Sequence, residues 1–574
     1  MRLLVFLLML SGLAFSQETM IRHVYDTKTD THVEVLSLFS RPSAGGYFPV
    51  RVKVANNQKT GHVIRLEFTC GSNYSRGSRT TSQYEVSAPP EKTVTRDLIV
   101  PLNPVGESYG SNMQVNVKMS GSMGMQAHSV HAEFSSDQPS VLLCDELFNL
   151  NASKIDADAG VKFSSGRYGG SGFTSRFSPG QLPDNWLAFS GYDAIVMLDS
   201  DWTSMPPGSR NAILSWLRLG GHLIVHTMTS ATAPALGLPA DTSFGKITIK
   251  PITSSLVMDS MDLLDTLTTG TALPTRRQAI TSDFEGSWPL YRAFGEKPFR
   301  YVIFVIVLLI FGILVGPINL FVFAKSGRRH LLFITTPIIS LAASLILIGL
   351  IMFQDGFGGD GKRLVLMEVP SEGDANAAFI LQEQVSRTGV LTRSTFNLDT
   401  PALFCPVPMV DNRWTRFNRS DADGTFNLQP EGTGARASGD WFQSRSVQGH
   451  SLTAMIPTRG RIERVKGSAD LISTFDFTIE TLFYLDDGGK WFRAESVSTG
   501  KGFALTPVDE SLIKPQLQEM ENGFTNRNAQ LFARARQRKG HYIAVTRSAP
   551  AIATHPGIRW GDTRTIITGG VAAP

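Results

Sequence analysis

Residues 301–324 read YVIFVIVLLIFGILVGPINLFVFA, and residues 331–353 read LLFITTPIISLAASLILIGLIMF. Neither run holds a charge, and each has about the 20 residues that carry a helix across a hydrocarbon core. Between them Lys325, Arg328, Arg329 and His330 make one short basic loop. The pattern predicts a transmembrane hairpin with helices at 301–324 and 331–353 and a cytoplasmic loop at 325–330, as the positive-inside rule requires. Gly312 and Gly316 form a small-xxx-small pair that lets helices approach closely, so both are expected in transmembrane packing, against the second span or a partner. Asn319 is the strongly polar side chain deep in a span and is expected to bond across the pair. Pro317 and Pro337 are expected to bend the helices. With no Asp, Glu, Lys or Arg inside either span, the sequence offers no ion path or proton relay.

Working outward, Met1-Arg2 followed by apolar Leu3–Leu13 and the small residues of Ala14-Phe15-Ser16 reads as a signal peptide over 1–16. Export of the N-terminus puts 17–300 outside the cytoplasm, and the second span returns 354–574 to the same side. The expected location is a bacterial inner (plasma) membrane, multi-pass, with both soluble parts extracytoplasmic. Asp355 and Asp360 suit a translocated flank, while Lys297 and Arg300 run against it.

The 574 residues are 18% charged with a net charge of +4. That balance makes no case for a nucleic-acid partner. Cys70, Cys144 and Cys405 are too scattered for a disulfide framework or a zinc site. Buried free thiols are expected, with one long-range bridge left open.

Four soluble segments follow from periodicity. Residues 17–136 alternate short period-two runs (HVEVLSLF from His32, FPVRVKVA from Phe48, HVIRLEFT from His62) with Gly-Gly, Asn-Asn and Pro-Pro turns, which predicts an immunoglobulin-like β-sandwich. Residues 137–252 change period: PSVLLC and GYDAIVML are buried strands, Pro206–Leu219 is a helix closed by Gly220-Gly221, and HLIVH is the next strand. Strand–helix–strand alternation predicts an α/β domain with a parallel sheet. The Gly-rich stretch from Ser164 to Phe173 lacks the ending of a phosphate loop and reads as a connection. Residues 253–300 are a juxtamembrane linker. Residues 354–574 are β-rich, with loop composition over 411–440 and a helix within 510–538.

Within the second segment, Leu182, Pro183, Trp186, Tyr192, Asp193, Trp216, Gly220 and Gly221 form the run LPxxW … YDAIVMLDSD … NAILSWLRLGGHLIVH. This resembles the class I glutamine-amidotransferase-like domains of bacterial membrane proteins that carry such a domain before a transmembrane hairpin. The resemblance covers roughly 139–250 and implies the fold. It does not extend to the chemistry: an amidotransferase needs a Cys on a sharp strand-to-helix turn beside a His. No Cys lies between Cys144 and Cys405, and Cys144 has no Gly-flanked elbow.

Asp199 and Asp201 follow one strand and His226 ends another. Strand C-terminal ends line the crevice of an open α/β sheet, so these three are the candidate ligand or metal residues, against the alternative of a polar rim with helix-start carboxylates. No catalytic residue, metal or cofactor is expected. The overall expectation is a multidomain, non-catalytic membrane-anchored envelope protein whose exported domains bind a partner or ligand. Its partners would be the membrane and other envelope membrane proteins. The alternative is an exported hydrolase, metal-dependent or otherwise, working in the α/β crevice.

Overall fold

A computed structural model describes residues 18–573, apart from 44, 73–78, 103–111, 125, 130–133, 136–139, 164–172, 230–231, 269–282, 285–287, 296–300, 324–325, 372–375, 408–423 and 469. The expected signal peptide, the Gly-rich connection before Phe173, and Lys297, Arg300 and Lys325 lie outside the described residues.

The chain begins with β1 (Glu18–Asp26), β2 (Thr31–Ser37), β3 (Tyr47–Asn56), β4 (His62–Ser72), β5 (Arg79–Ala88), β6 (Lys92–Pro101), β7 (Asn112–Gly121), β8 (Gln126–Ser129) and β9 (Phe134–Ser135). Period-two patterning sets their faces. In β5, Thr80, Ser82, Tyr84, Val86 and Ala88 are buried while the residues between them are not. One antiparallel sheet runs β1-β2-β3-β6. A second contains β5-β4-β7-β8, with β9 on β7. Valines 50, 52 and 54 of the first and Ile64, Leu66 and Phe68 of the second are fully buried, and the Tyr84 hydroxyl donates to Ile99 O at 2.6 Å across the sheets. This is a sandwich-like region.

Next come β10 (Val141–Cys144), α1 (Asp145–Phe163), β11 (Thr174–Phe177), β12 (Ala194–Leu198), α2 (Asp199–Ser204), α3 (Pro207–Arg218), β13 (His222–Thr227), β14 (Lys246–Pro251) and α4 (Ser260–Thr268). The sheet order is β11-β10-β12-β13-β14, with every neighbouring pair parallel. Order reverses between β10 and β12, the place where doubly wound sheets open a crevice. Both faces of β12 and β13 are buried, as covered parallel strands require. Helix α3 starts with proline and buries Ala212, Ile213, Trp216 and Leu217. Gly220 (φ 111°) ends it, and a Cβ on Gly221 would lie 2.5 Å from the Trp216 ring, so only glycine lets the chain turn under that indole.

The short helix α5 (Pro289–Phe294) precedes the apolar hairpin, which consists of α6 (Tyr301–Ile313), a π-helical stretch Leu314–Phe323, and α7 (Leu332–Asp355). These are two helices long and apolar enough to cross a membrane. Pro317 lies inside the π stretch: a proline cannot supply its N–H and crowds the carbonyl four residues back, which a wider turn relieves. Pro337 sits inside an unbroken helix.

After the hairpin come β15 (Gly359–Val369), β16 (Ala377–Thr388), β17 (Phe396–Leu398), β18 (Ala402–Val407), β19 (Thr425–Glu431), β20 (Gly434–Gly439) and β21 (Val447–Pro457). They are followed by β22 (Ile462–Arg464), β23 (Leu471–Ser473), β24 (Ile479–Leu485), β25 (Trp491–Val497), β26 (Gly502–Phe503) and β27 (Thr506–Pro507). The chain closes with α8 (Glu510–Glu521), α9 (Asn526–Ala535), β28 (His541–Thr546) and β29 (Ile558–Gly570). A nine-stranded sheet runs β18-β21-β16-β15-β29-β28-β24-β25-β27, with β15 and β29 parallel. Strands β22, β23 and β26 form a small separate sheet.

Strands from 354–574, the region expected as one β-rich domain, also join a sheet from before the hairpin. Strands β17, β20 and β19 extend the second sandwich sheet to β17-β20-β19-β5-β4-β7-β8. The junction is parallel, Thr425 against Arg79 and Asn427 against Thr81. Gln429 Nε2 donates to Gln83 O at 2.9 Å, and buried Tyr47 donates through its hydroxyl to Ala402 O at 3.0 Å. Part of the expected 411–440 loop is therefore the β19–β20 hairpin. Its polar, Gly-rich composition suits a short strand pair at a sheet margin, and that composition conceals it. The sandwich-like region also touches the parallel sheet: Ser40 and Arg176 exchange two hydrogen bonds, and Phe39 packs on Phe189 and Tyr192. Cys70, Cys144 and Cys405 are buried free thiols.

Candidate functional site

Asp199 and Asp201 stand at the C-terminal end of β12, where α2 begins. Asp199 Oδ1 accepts from Ser200 N at 2.9 Å and Asp201 Oδ2 from Leu198 N at 3.3 Å. Both therefore act as helix-start carboxylates, satisfying amides the first turn leaves open. His226 lies opposite Leu198 on β13 and is buried with Nδ1 lacking a hydrogen-bond partner. Burial lowers its pKa, and the Lys250 charge adds to that. The structure does not bring Asp199, Asp201 and His226 together: among the described residues, the group of three or more His, Cys, Asp or Glu side chains whose ligand atoms all lie within 4.8 Å is a different one. Cys144 ends β10 at the same edge. Burial pushes its thiol up and the neighbouring Asp201 pushes it further, the reverse of what a thiolate nucleophile needs.

The residues that carry the amidotransferase-like resemblance are packing residues. Trp186, Tyr192 and Trp216 are buried, and Asp193 Oδ2 accepts from Ser140 N at 2.6 Å.

In the hairpin, Asn319 is fully buried and bonds across the pair. Its Nδ2 donates to Thr336 Oγ1 at 2.9 Å, and Thr335 Oγ1 donates to its Oδ1 at 2.6 Å. Gly312 and Gly316 take no part in that contact: a Cβ built on either meets nothing within 4 Å.

Two buried polar centres escaped the sequence reading, and both join elements that are remote in the chain. The first is Glu383 on β16, with 0% exposure. It accepts from Trp288 Nε1 at 2.8 Å, Thr525 N at 3.1 Å, Thr525 Oγ1 at 2.7 Å and Asn528 Nδ2 at 2.7 Å. Burial raises this carboxyl, and the four donors only partly offset that. Around it Lys362 Nζ donates to Ala293 O at 3.2 Å, and Arg387 donates to Gly295 O at 2.6 Å while covering the Phe294 ring. The segment entering the first apolar helix is thus clasped to the two strands that follow the second.

The second centre is Asp241, Glu368 and His541 with Arg538, where the α/β region meets the nine-stranded sheet. Glu368 is fully buried. The Arg538 guanidinium lies 2.9 Å from Glu368 Oε1 and 3.1 Å from Asp241 Oδ1. Asp241 Oδ2 and His541 Nε2 are 3.7 Å apart. Burial works to raise the Asp241 carboxyl, but His541, the Ser243 amide and Arg538 together draw it down to about 2. One signal was readable: Glu368 shares a strand face with buried Leu364 and Leu366, and Glu383 with Phe379 and Leu381. A carboxylate at an inward position of an apolar strand demands partners.

No protein-family model matches the chain, and no curated protein matches it. Among solved structures, it aligns with β-glucuronidase 2 of Bacteroides uniformis at 9% identity and TM-score 0.13, over 36% of this chain and 25% of that one. A second alignment, with Bacteroides uniformis β-glucuronidase, has 10% identity and TM-score 0.13 over 37% and 25%. A third, with a glycosyl hydrolase family 2 member of Bacteroides cellulosilyticus, has 10% identity and TM-score 0.14 over 84% and 69%. The chain spans a quarter of the length of the β-glucuronidases it aligns with, and a likeness at these scores carries no argument about fold or activity.

Proposed function

We propose that this chain is a non-catalytic, membrane-anchored bacterial envelope protein whose exported regions form one body that binds a partner or ligand. The observation that carries the reading is the β5–β19 pairing. Strands from before and after the hairpin share a sheet, and a sheet cannot be shared across a bilayer, so the pairing supports both soluble parts lying on one side. The Glu383 clasp supports the same reading, since it fixes both ends of the hairpin to one surface. The α/β region is proposed to be amidotransferase-like in fold, with Trp186, Tyr192 and Trp216 used for packing. The buried, raised Cys144 thiol and the separation of Asp199, Asp201 and His226 weigh against a hydrolase there.

A reporter fused after Lys325 should be cytoplasmic, and one fused after Gly361 exported. A cytoplasmic second fusion overturns the placement. Affinity isolation of the intact protein in detergent should then recover a stoichiometric membrane partner, and recovery of the protein alone counts against the binding role.

A further inference from the structure

We propose that Asp241, Glu368 and His541 form a binding site for a first-row divalent cation that joins the α/β region to the nine-stranded sheet.

The three side chains come from three separate elements. Asp241 lies in the loop between β13 and β14, Glu368 on β15, and His541 at the start of β28. One ligand atom of each lies within 4.8 Å of the other two. In each residue one polar atom is fixed by a hydrogen bond and the other is turned into the common space. Asp241 Oδ1 accepts from Ser243 N at 2.9 Å. Glu368 Oε2 accepts from the Thr568 hydroxyl. His541 Nδ1 bonds to Lys539 O at 2.8 Å, and since a carbonyl can only accept, Nδ1 carries the proton. Of the remaining buried atoms, Asp241 Oδ2 and His541 Nε2 make no hydrogen bond, and Glu368 Oε1 meets the Arg538 guanidinium at 2.9 Å. Orientation of metal ligands by such outer bonds, above all a carbonyl holding the far nitrogen of a histidine, is how protein metal sites are set up.

The gap between His541 Nε2 and Asp241 Oδ2, 3.7 Å, is too long for a hydrogen bond. It is close to the separation of roughly 3–3.5 Å that two ligands take around one ion at bond lengths near 2.1 Å. One imidazole with two carboxylates is a mixed nitrogen–oxygen set that suits Zn²⁺ or Mn²⁺. Ca²⁺ asks for six or more oxygens.

Arg538 is the competing occupant. Its guanidinium neutralises Asp241 and Glu368, and its side chain is 24% exposed, so it has a route to solvent when an ion enters. A purely structural network would hold the two carboxylates with Arg538 and a protonated His541, which faces Asp241 Oδ2 at 3.7 Å, and would retain no ion.

The test uses the intact protein in detergent, stripped with chelator, then given Zn²⁺ alone or Mn²⁺ alone and passed through gel filtration. The expected result is about one Zn²⁺ or Mn²⁺ retained per chain. Asp241→Asn and His541→Gln should each weaken binding at least about tenfold, and Arg538→Gln should bind at least as tightly as the wild type. No retained ion in the wild type overturns the site, and that measurement does not depend on any variant folding. Undiminished binding in an Asp241→Asn, His541→Gln double variant also overturns it. Neither outcome bears on the topology, which the reporter fusions test separately.

Discussion

The parallel sheet and the sandwich-like region are built on opposite plans. All five strands of the parallel sheet fall between Val141 and Pro251, and each pairs within that stretch. The sandwich's second sheet takes three of its strands from beyond the hairpin, and the Gln83–Gln429 bond at the join spans 346 residues. The lesson is that domain order in the sequence need not be domain order in space. A region assembled locally can be recognised, and can fold, from its own stretch. One assembled across a hairpin waits for its distant part.

Ending the chain at Gly356 is the harshest way to break that contrast. Residues 18–129 should lose their protease protection, while the parallel sheet of 141–251 keeps its own, as read by limited proteolysis with mass spectrometry. Equal loss in both would erase the distinction.

Glu383→Ala should cost about 3–5 kcal/mol in denaturant unfolding, because it strands the buried Trp288, Thr525 and Asn528 donors together. The loss should appear in the nine-stranded sheet and not in the parallel one.

Acid sharpens the comparison next. His450 is buried between Phe404 and Phe442, and His222 lies at the start of β13. Burial lowers both to about 4 from an ordinary 6.5. Between those values the unfolded chain binds the proton and the folded one does not. Stability is therefore full above pH 6.5 and declines as pH falls toward 4, by up to about 3 kcal/mol per histidine. His450→Leu should flatten the decline in the nine-stranded sheet and leave that of the parallel sheet.

Asn319→Leu should have the smallest effect, about 1 kcal/mol on hairpin pairing in detergent, with the soluble regions unmoved. A shift in soluble-domain unfolding would show that the hairpin packing reaches further than its own two helices.

What was legible follows the same division. The apolar runs, Pro207 opening α3, the glycines closing it and Asn319 bonding across the two apolar helices are all signals carried within about 20 residues. The β5–β19 pairing has no local mark: Thr425–Asn427 reads as loop, and nothing near Arg79 names it as partner. Asp199, Asp201 and His226 were chosen because strand ends gather ligands, yet two of them serve the amides of Leu198 and Ser200 where α2 begins. The buried centre at Asp241, Glu368 and His541 needed three stretches of chain brought together before it existed at all.

The late join at β5 also has a consequence in time. At translation rates of roughly 5–20 residues per second, the 346 residues between Gln83 and Gln429 take on the order of 20–70 s to make. Throughout that interval the edge of β5 that β19 will take has no partner, the feature most apt to recruit a wrong strand. Synthesis of this protein therefore includes a vulnerable wait, and a holdase bound to that edge would shorten its dangers without touching the final fold.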